Sequence, residues 1–158
     1  MFKKILVCLD GSELAEKVLP YAKEQAERFD SELVLFMTVS EPYFTTPGVP
    51  GIPGVPVDTL NRENLIFTEK NAAETYLKSV ADKILSEKTL RVSFESAVGA
   101  AGQAIIEYSG NHGIELIALA THSRSGLGRV ILGSVADYVV RHTDLPVLLI
   151  HPNKAKSK

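Results

Sequence analysis

The stretch Ala120-Thr-His-Ser-Arg-Ser-Gly-Leu-Gly-Arg-Val-Ile-Leu-Gly133-Ser134-Val-Ala136 decides the reading of this chain. It follows an apolar run, Ile114-Glu-Leu-Ile-Ala-Leu119, and precedes a helical pattern from Val135 to Arg141. Small and polar residues therefore stand where a buried strand ends, and a Gly-Ser pair stands where a helix begins. Such a junction builds an anion site, because the first N–H groups of a helix lack intrahelical partners and Gly133 has no Cβ to block close approach. Arg124 and Arg129 add positive charge nearby. The pattern implies a ligand that carries phosphate.

Outward from this loop, strands and helices alternate. Lys4-Ile-Leu-Val-Cys-Leu9 reads as a buried first strand ended by Asp10-Gly-Ser12, with Ser12 placed to cap the next helix. Leu14, Val18, Ala22, Ala26 and Phe29 give that helix one apolar face, and Pro20 inside the pattern predicts a bend. Leu33–Val39 is a second strand, apolar on both faces. The segment 41–57, with Pro47-Gly-Val-Pro-Gly-Ile-Pro-Gly-Val-Pro56, cannot sustain a helix or a central strand and reads as an exposed loop or a lid. A long helix begins between Asp58 and Thr68, with an apolar stripe of Ala72, Ala73, Tyr76, Leu77, Val80, Ile84 and Leu85.

Arg91–Val98 alternates, Val92, Phe94 and Val98 against Arg91, Ser93 and Glu95, which marks a strand at a sheet edge. Gly99 ends it, and a short helix over 101–108 is closed by Gly110-Asn-His-Gly113. A central strand over 114–119, the small-residue loop, the helix from Gly133 and a last strand, Pro146–Ile150, complete the order. This alternation implies an α/β fold with a doubly wound parallel sheet and helices on both faces. Ligands of such sheets sit beyond the carboxyl ends of the strands, where the winding reverses. With the first and fourth strands adjacent, Asp10-Gly-Ser12 and Ala120-Thr-His-Ser123 share one cleft.

At 158 residues the chain reads as a single domain over 1–152, with 153–158 a solvated basic tail. Seventeen Lys and Arg against nineteen Asp and Glu leave no global basic field for nucleic acid. No apolar run reaches the length of a membrane span, and Met1-Phe-Lys-Lys leads into a strand without the pattern of a signal peptide. The single cysteine, Cys8, excludes an intrachain disulfide and fits a reducing cytoplasm. Its apolar surroundings predict a buried, inert thiol.

The usual phosphate signatures are missing. There is no G-x-x-x-x-G-K-[ST], and Asp10-Gly-Ser12 replaces the G-x-G-x-x-G of a dinucleotide fold. The residues instead resemble the universal stress protein family over essentially the whole chain. The resemblance is carried by Lys-Lys-Ile-Leu-Val-Cys-Leu-Asp10-Gly-Ser, by Gly99 with Ile105, by Thr-His-Ser-Arg-Ser-Gly-Leu-Gly-Arg, by Leu-Gly133-Ser134-Val-Ala-Asp and by Leu-Pro146-Val-Leu-Leu-Ile. It implies a five-stranded parallel sheet in the order 3-2-1-4-5 and a homodimer through the last strand, Val147–Ile150. Members that bind ATP carry G-x-x-G-x9-G-[ST] after the fourth strand. Gly133 and Ser134 match, while Ala120 and Ser123 stand where two glycines are usual.

By that match, Asp10 faces the adenosine part and Leu9 and Val39 line the base. Ala120 and Thr121 approach the ribose, and Ser123, Gly133, Ser134 and Val135 hold phosphates. His122 and Arg124 are candidates for phosphate, or belong to a solvated loop; Asp10 has the alternative of being only a turn residue that caps the next helix. Mg²⁺ would arrive with the phosphates. The expectation is a cytoplasmic, ATP-binding regulatory protein of the stress response without dedicated catalytic chemistry, since neither HExxH, paired carboxylates nor a G-x-S-x-G elbow occurs. A nucleotide-free dimeric interaction module and an ATP-cleaving enzyme on a related fold are the alternatives. Ser at position 123 is small and its hydroxyl donates, so Ser123→Gly should change ATP affinity by less than about tenfold, or 1.4 kcal/mol. A large gain measured by calorimetry would show instead that the loop needs a positive φ there and that this chain has lost its nucleotide.

Overall fold

Consecutive apolar side chains in a short segment fit a strand covered on both faces. Three such segments form the middle of the sheet. The computed structural model describes residues 1–41, 59–85, 90–121 and 132–151. In it Lys4–Leu9 (β1), Glu32–Val39 (β2), Arg91–Val98 (β3), Leu116–Ala120 (β4) and Val147–Ile150 (β5) form one sheet. All pairs are parallel, in the order β3-β2-β1-β4-β5. The chain winds outward from β1 to β3, then crosses back to β4 beside β1 and winds the other way to β5. The edge position expected for the alternating strand is where β3 lies.

Helices α1 (Leu19–Phe29), α2 (Thr59–Leu85), α3 (Ala101–Asn111) and α4 (Ser134–His142) cover the sheet. Successive side chains of β1 point to opposite faces, so Ile5 and Val7 join Ala22 and Ala26 of α1 and Leu77, Val80 and Ile84 of α2. Leu6 joins Ile105 of α3 and Ala136 and Val139 of α4 on the other face. Each half of the winding thus covers its own face. Among the described residues no helix is long and apolar enough to cross a membrane.

Several boundaries differ from the sequence reading, each for a local reason. Pro20 bends nothing: it is the second residue of α1, where its missing N–H has no intrahelical bond to make, and a 3₁₀ turn over Ala15–Val18 precedes it. The α2 stripe is narrower than expected. Ala73, Leu77, Val80 and Ile84 are buried, with Ala81 beside them, whereas Ala72 is exposed and Leu85 is 43% exposed at the helix end. Helix α3 runs through Gly110 to Asn111 before Gly113, at φ +65, turns the chain. Strand β4 begins only at Leu116. The segment 42–58, which holds most of the Pro/Gly-rich stretch, and the basic tail lie outside the described residues.

Helices α3 and α4 pack closely at Gly102. A Cβ there would lie 2.5 Å from Cδ1 and 2.8 Å from Cγ of Tyr138. Gly102→Ala should therefore destabilise the fold by about 1–3 kcal/mol in urea unfolding. In a Tyr138→Ala background the same change should cost clearly less, because the ring contacts are gone and only the residue 138 Cβ, 3.0 Å away, remains to be accommodated. Equal effects in the two backgrounds would contradict the contact.

Candidate functional site

The β1–β4 ladder ends before the strands do. Its registered pairs are Ile5 with Leu116, Leu6 with Ile117 and Val7 with Ala118. The four strand residues just beyond, Cys8, Leu9, Leu119 and Ala120, line a cleft of about 280 Å³. This is the point where the winding reverses and adjacent strands leave in opposite directions. Backbone pairing that stops early leaves the opening.

One wall of the cleft is the turn after β1. Gly11 holds φ +81, a conformation that favours glycine, and the Ser12 N–H donates to Asp10 Oδ1 at 2.9 Å. Ser12 Oγ then accepts from the Ala15 N–H at 3.1 Å and the Ser12 carbonyl accepts from the Glu16 N–H at 3.2 Å. Ser12 closes this turn but is not the N-cap of a helix: the 3₁₀ segment has Leu14 as N-cap, and α1 follows Val18. Asp10 is exposed, one carboxylate oxygen closes the turn, and the residue lines the cleft.

The opposite wall is set by Thr121, which is buried. Its N–H donates to the Ile150 carbonyl at 2.9 Å, and its Oγ1 accepts from the Gly133 N–H, also at 2.9 Å. The hydroxyl thereby ties the end of β4 to the residue before α4. Gly133 is the N-cap, at φ −61 and ψ 157, and supplies no side-chain cap. The N–H groups of Ser134, Val135 and Ala136 belong to the first helical turn, which has no intrahelical acceptors, and all three residues line the cleft. Helix α3 enters the same way. Its N-cap is Ala100, again without a side-chain cap, and Ala101 lines the cleft. Two helix N-termini, each with a partial positive charge, converge on one opening.

The floor is apolar: Phe36 of β2, Ile105 of α3 and Leu119 of β4 meet there with Cys8. Desolvation pushes the Cys8 thiol up to about 12, so it stays protonated and does not act as a nucleophile at neutral pH. A flat apolar group can lie on this floor while an anion meets the helix ends.

The structure brings together Leu9, Asp10, Ala120, Thr121, Gly133, Ser134 and Val135. It does not bring Val39 into this cleft. Val39 lines a neighbouring one of about 620 Å³ with Gly11, Met37, Leu65, Ala73 and Tyr76, on the α2 side of the same strand tips, and Thr38 borders both. His122, Ser123 and Arg124, with Arg129, lie outside the described residues. Sequence reasoning missed Phe36, Thr38, Ala101 and Ile105. A signal existed only at Gly99-Ala100-Ala101, where a helix begins without Ser, Thr, Asp or Asn to cap it.

The chain matches the universal stress protein family model over residues 1–151. It belongs to that family. A universal stress protein of Synechocystis is 30% identical over 152 residues, covering 94% of this chain and 97% of its own. The solved universal stress protein UspA of Lactobacillus plantarum superposes with a TM-score of 0.74 at 23% identity, covering 94% of this chain and 97% of its own. A universal stress protein family protein of Arabidopsis thaliana, solved with AMP bound, gives 0.62 at 16% identity, covering 96% and 92%. These two structures share the fold of this universal stress protein.

Thr121→Val keeps the shape of the side chain and deletes the acceptor for Gly133, leaving a partly buried N–H unpaired. The expected loss is about 1–3 kcal/mol in denaturant unfolding, with faster exchange of the Gly133 amide. Thr121→Ser, which keeps the hydroxyl, should lose no more than about 1 kcal/mol. Unchanged Gly133 exchange in the valine variant would remove the tie.

Proposed function

We propose that this universal stress protein binds ATP in the cleft between the β1 and β4 tips and acts as a nucleotide-dependent regulator in the cytoplasm. One observation carries the reading: two uncapped helix N-termini open onto an apolar floor, with Asp10 at the far lip. A triphosphate beside Asp10 would be repelled, so phosphate belongs at the helix ends and adenosine toward Asp10 and Leu9. Ala120 and Thr121 then border the ribose. Thr121 accepts from Gly133 with an oxygen lone pair and keeps its hydroxyl hydrogen for a ligand. Gly133, Ser134 and Val135 hold phosphates together with Ser123, His122 and Arg124, and Mg²⁺ enters on the phosphates with several waters. Val39 meets the base only across the tip of β2, from the neighbouring cleft.

The same reading includes a homodimer through β5. All four of its residues are half-buried at a sheet edge without Lys or Glu, and Pro146 protects only its start. A dimer mass by light scattering is expected, and a monomer would remove this part.

Mass spectrometry of ligand released from purified protein should find ATP; a protein that carries and binds no nucleotide would be an interaction module instead. Gly133 has an extended backbone that other residues can adopt. Gly133→Val should therefore fold normally while its side chain fills the phosphate approach. ATP affinity should fall at least about tenfold, or 1.4 kcal/mol. Unchanged affinity by calorimetry would displace the phosphates from this helix end.

A further inference from the structure

Among the described residues, the turn that carries Asp10 is closed by its own local hydrogen bonds and stands largely in solvent. Asp10, Gly11 and Glu13 are exposed, and the nearest buried side chains are Leu9 before it and Ala15 after it. From outside it, Tyr76 of α2 reaches the segment that follows the turn, its hydroxyl donating to Glu16 Oε1 at 3.0 Å. Glu16 stands in the 3₁₀ turn, and its N–H donates to the Ser12 carbonyl. Ser12 in turn donates its N–H to Asp10 Oδ1. These contacts run without a gap from a long helix to the lip of the cleft.

We propose that Tyr76 is a positioning residue for the nucleotide cleft, fixing the Asp10–Ser12 turn through Glu16. The use of that turn rests on the ATP reading above; the tether itself does not. The Tyr76 ring packs against the core on the α1–α2 side, and Ala73, Leu77 and Val80 bury the flanking turns of α2. The phenol is thus held on a rigid element, and only its oxygen is left for the carboxylate. A hydrogen bond to a charged acceptor is the stronger kind, enough to narrow the motion of a short exposed turn. Burial and the Glu16 charge raise the phenol above its usual range, so the donor hydrogen is retained across physiological pH.

Tyr76→Phe keeps the ring and removes the tether, and Glu16→Ala removes it from the other side. Glu16→Gln keeps an acceptor oxygen. In the ligand-free protein, Tyr76→Phe and Glu16→Ala should each speed amide exchange at Ser12 by about tenfold, and Glu16→Gln by less than about twofold. Adenosine binding should weaken about fivefold in the first two, the size expected for one lost hydrogen bond. In an Asp10→Ala background Tyr76→Phe should add nothing, because the effect passes through that turn. Unchanged Ser12 exchange in folded Tyr76→Phe overturns the proposal, as does an undiminished effect on binding in the Asp10→Ala background. Exchange that responds in a protein whose wild type binds neither adenosine nor ATP would reject the ATP reading and keep the tether.

Discussion

The ladder between β1 and β4 is the constraint on which the rest depends. It joins segments more than a hundred positions apart in the chain, through Ile5, Leu6 and Val7 against Leu116, Ile117 and Ala118. Because it is central, both strands are covered on both faces, and the residues it pairs are fully or nearly fully buried. Polar chemistry has no place inside such a sheet, since an unpaired polar group there carries a desolvation penalty of about 1–3 kcal/mol. It is displaced to the strand ends, and at the carboxyl ends the ladder stops short and the strands part.

The charges at that opening follow from how the helices are led into it. Neither α3 nor α4 has a side-chain cap, so both present a partial positive end, and Asp10 lines the same cleft. The convergence of those ends is itself a packing result. Gly102 follows Ala101 directly, and only a residue without Cβ lets Tyr138 lie against α3 there. The two helices therefore pack against each other close to the ends that open onto the cleft.

Much of this was legible in the chain. The apolar runs give strands, the alternation at 91–98 gives an edge, and the Gly133-Ser134 junction marks a helix entrance in the local order of residues. Helix limits were less legible. Pro20 reads as an interior break by periodicity, yet a 3₁₀ turn before it makes it an opening residue. Leu85 belongs to the stripe by spacing but, as the last residue of α2, stays 43% exposed.

What the sequence by itself determined was the fold class, the strand ends that carry chemistry and the membership of Asp10, Thr121 and Gly133 in one cleft. These are consequences of local pattern and of an element order that allows few topologies. The tertiary structure decided the rest. It placed Val39 on the α2 side of the β2 tip and turned the Thr121 hydroxyl toward the Gly133 amide. It also set Phe36 and Ile105 as the floor and brought Tyr76 to Glu16 across sixty positions of chain. None of these has a local signature. Each depends on which face of a strand or helix meets another element, and that is fixed only when the two are packed.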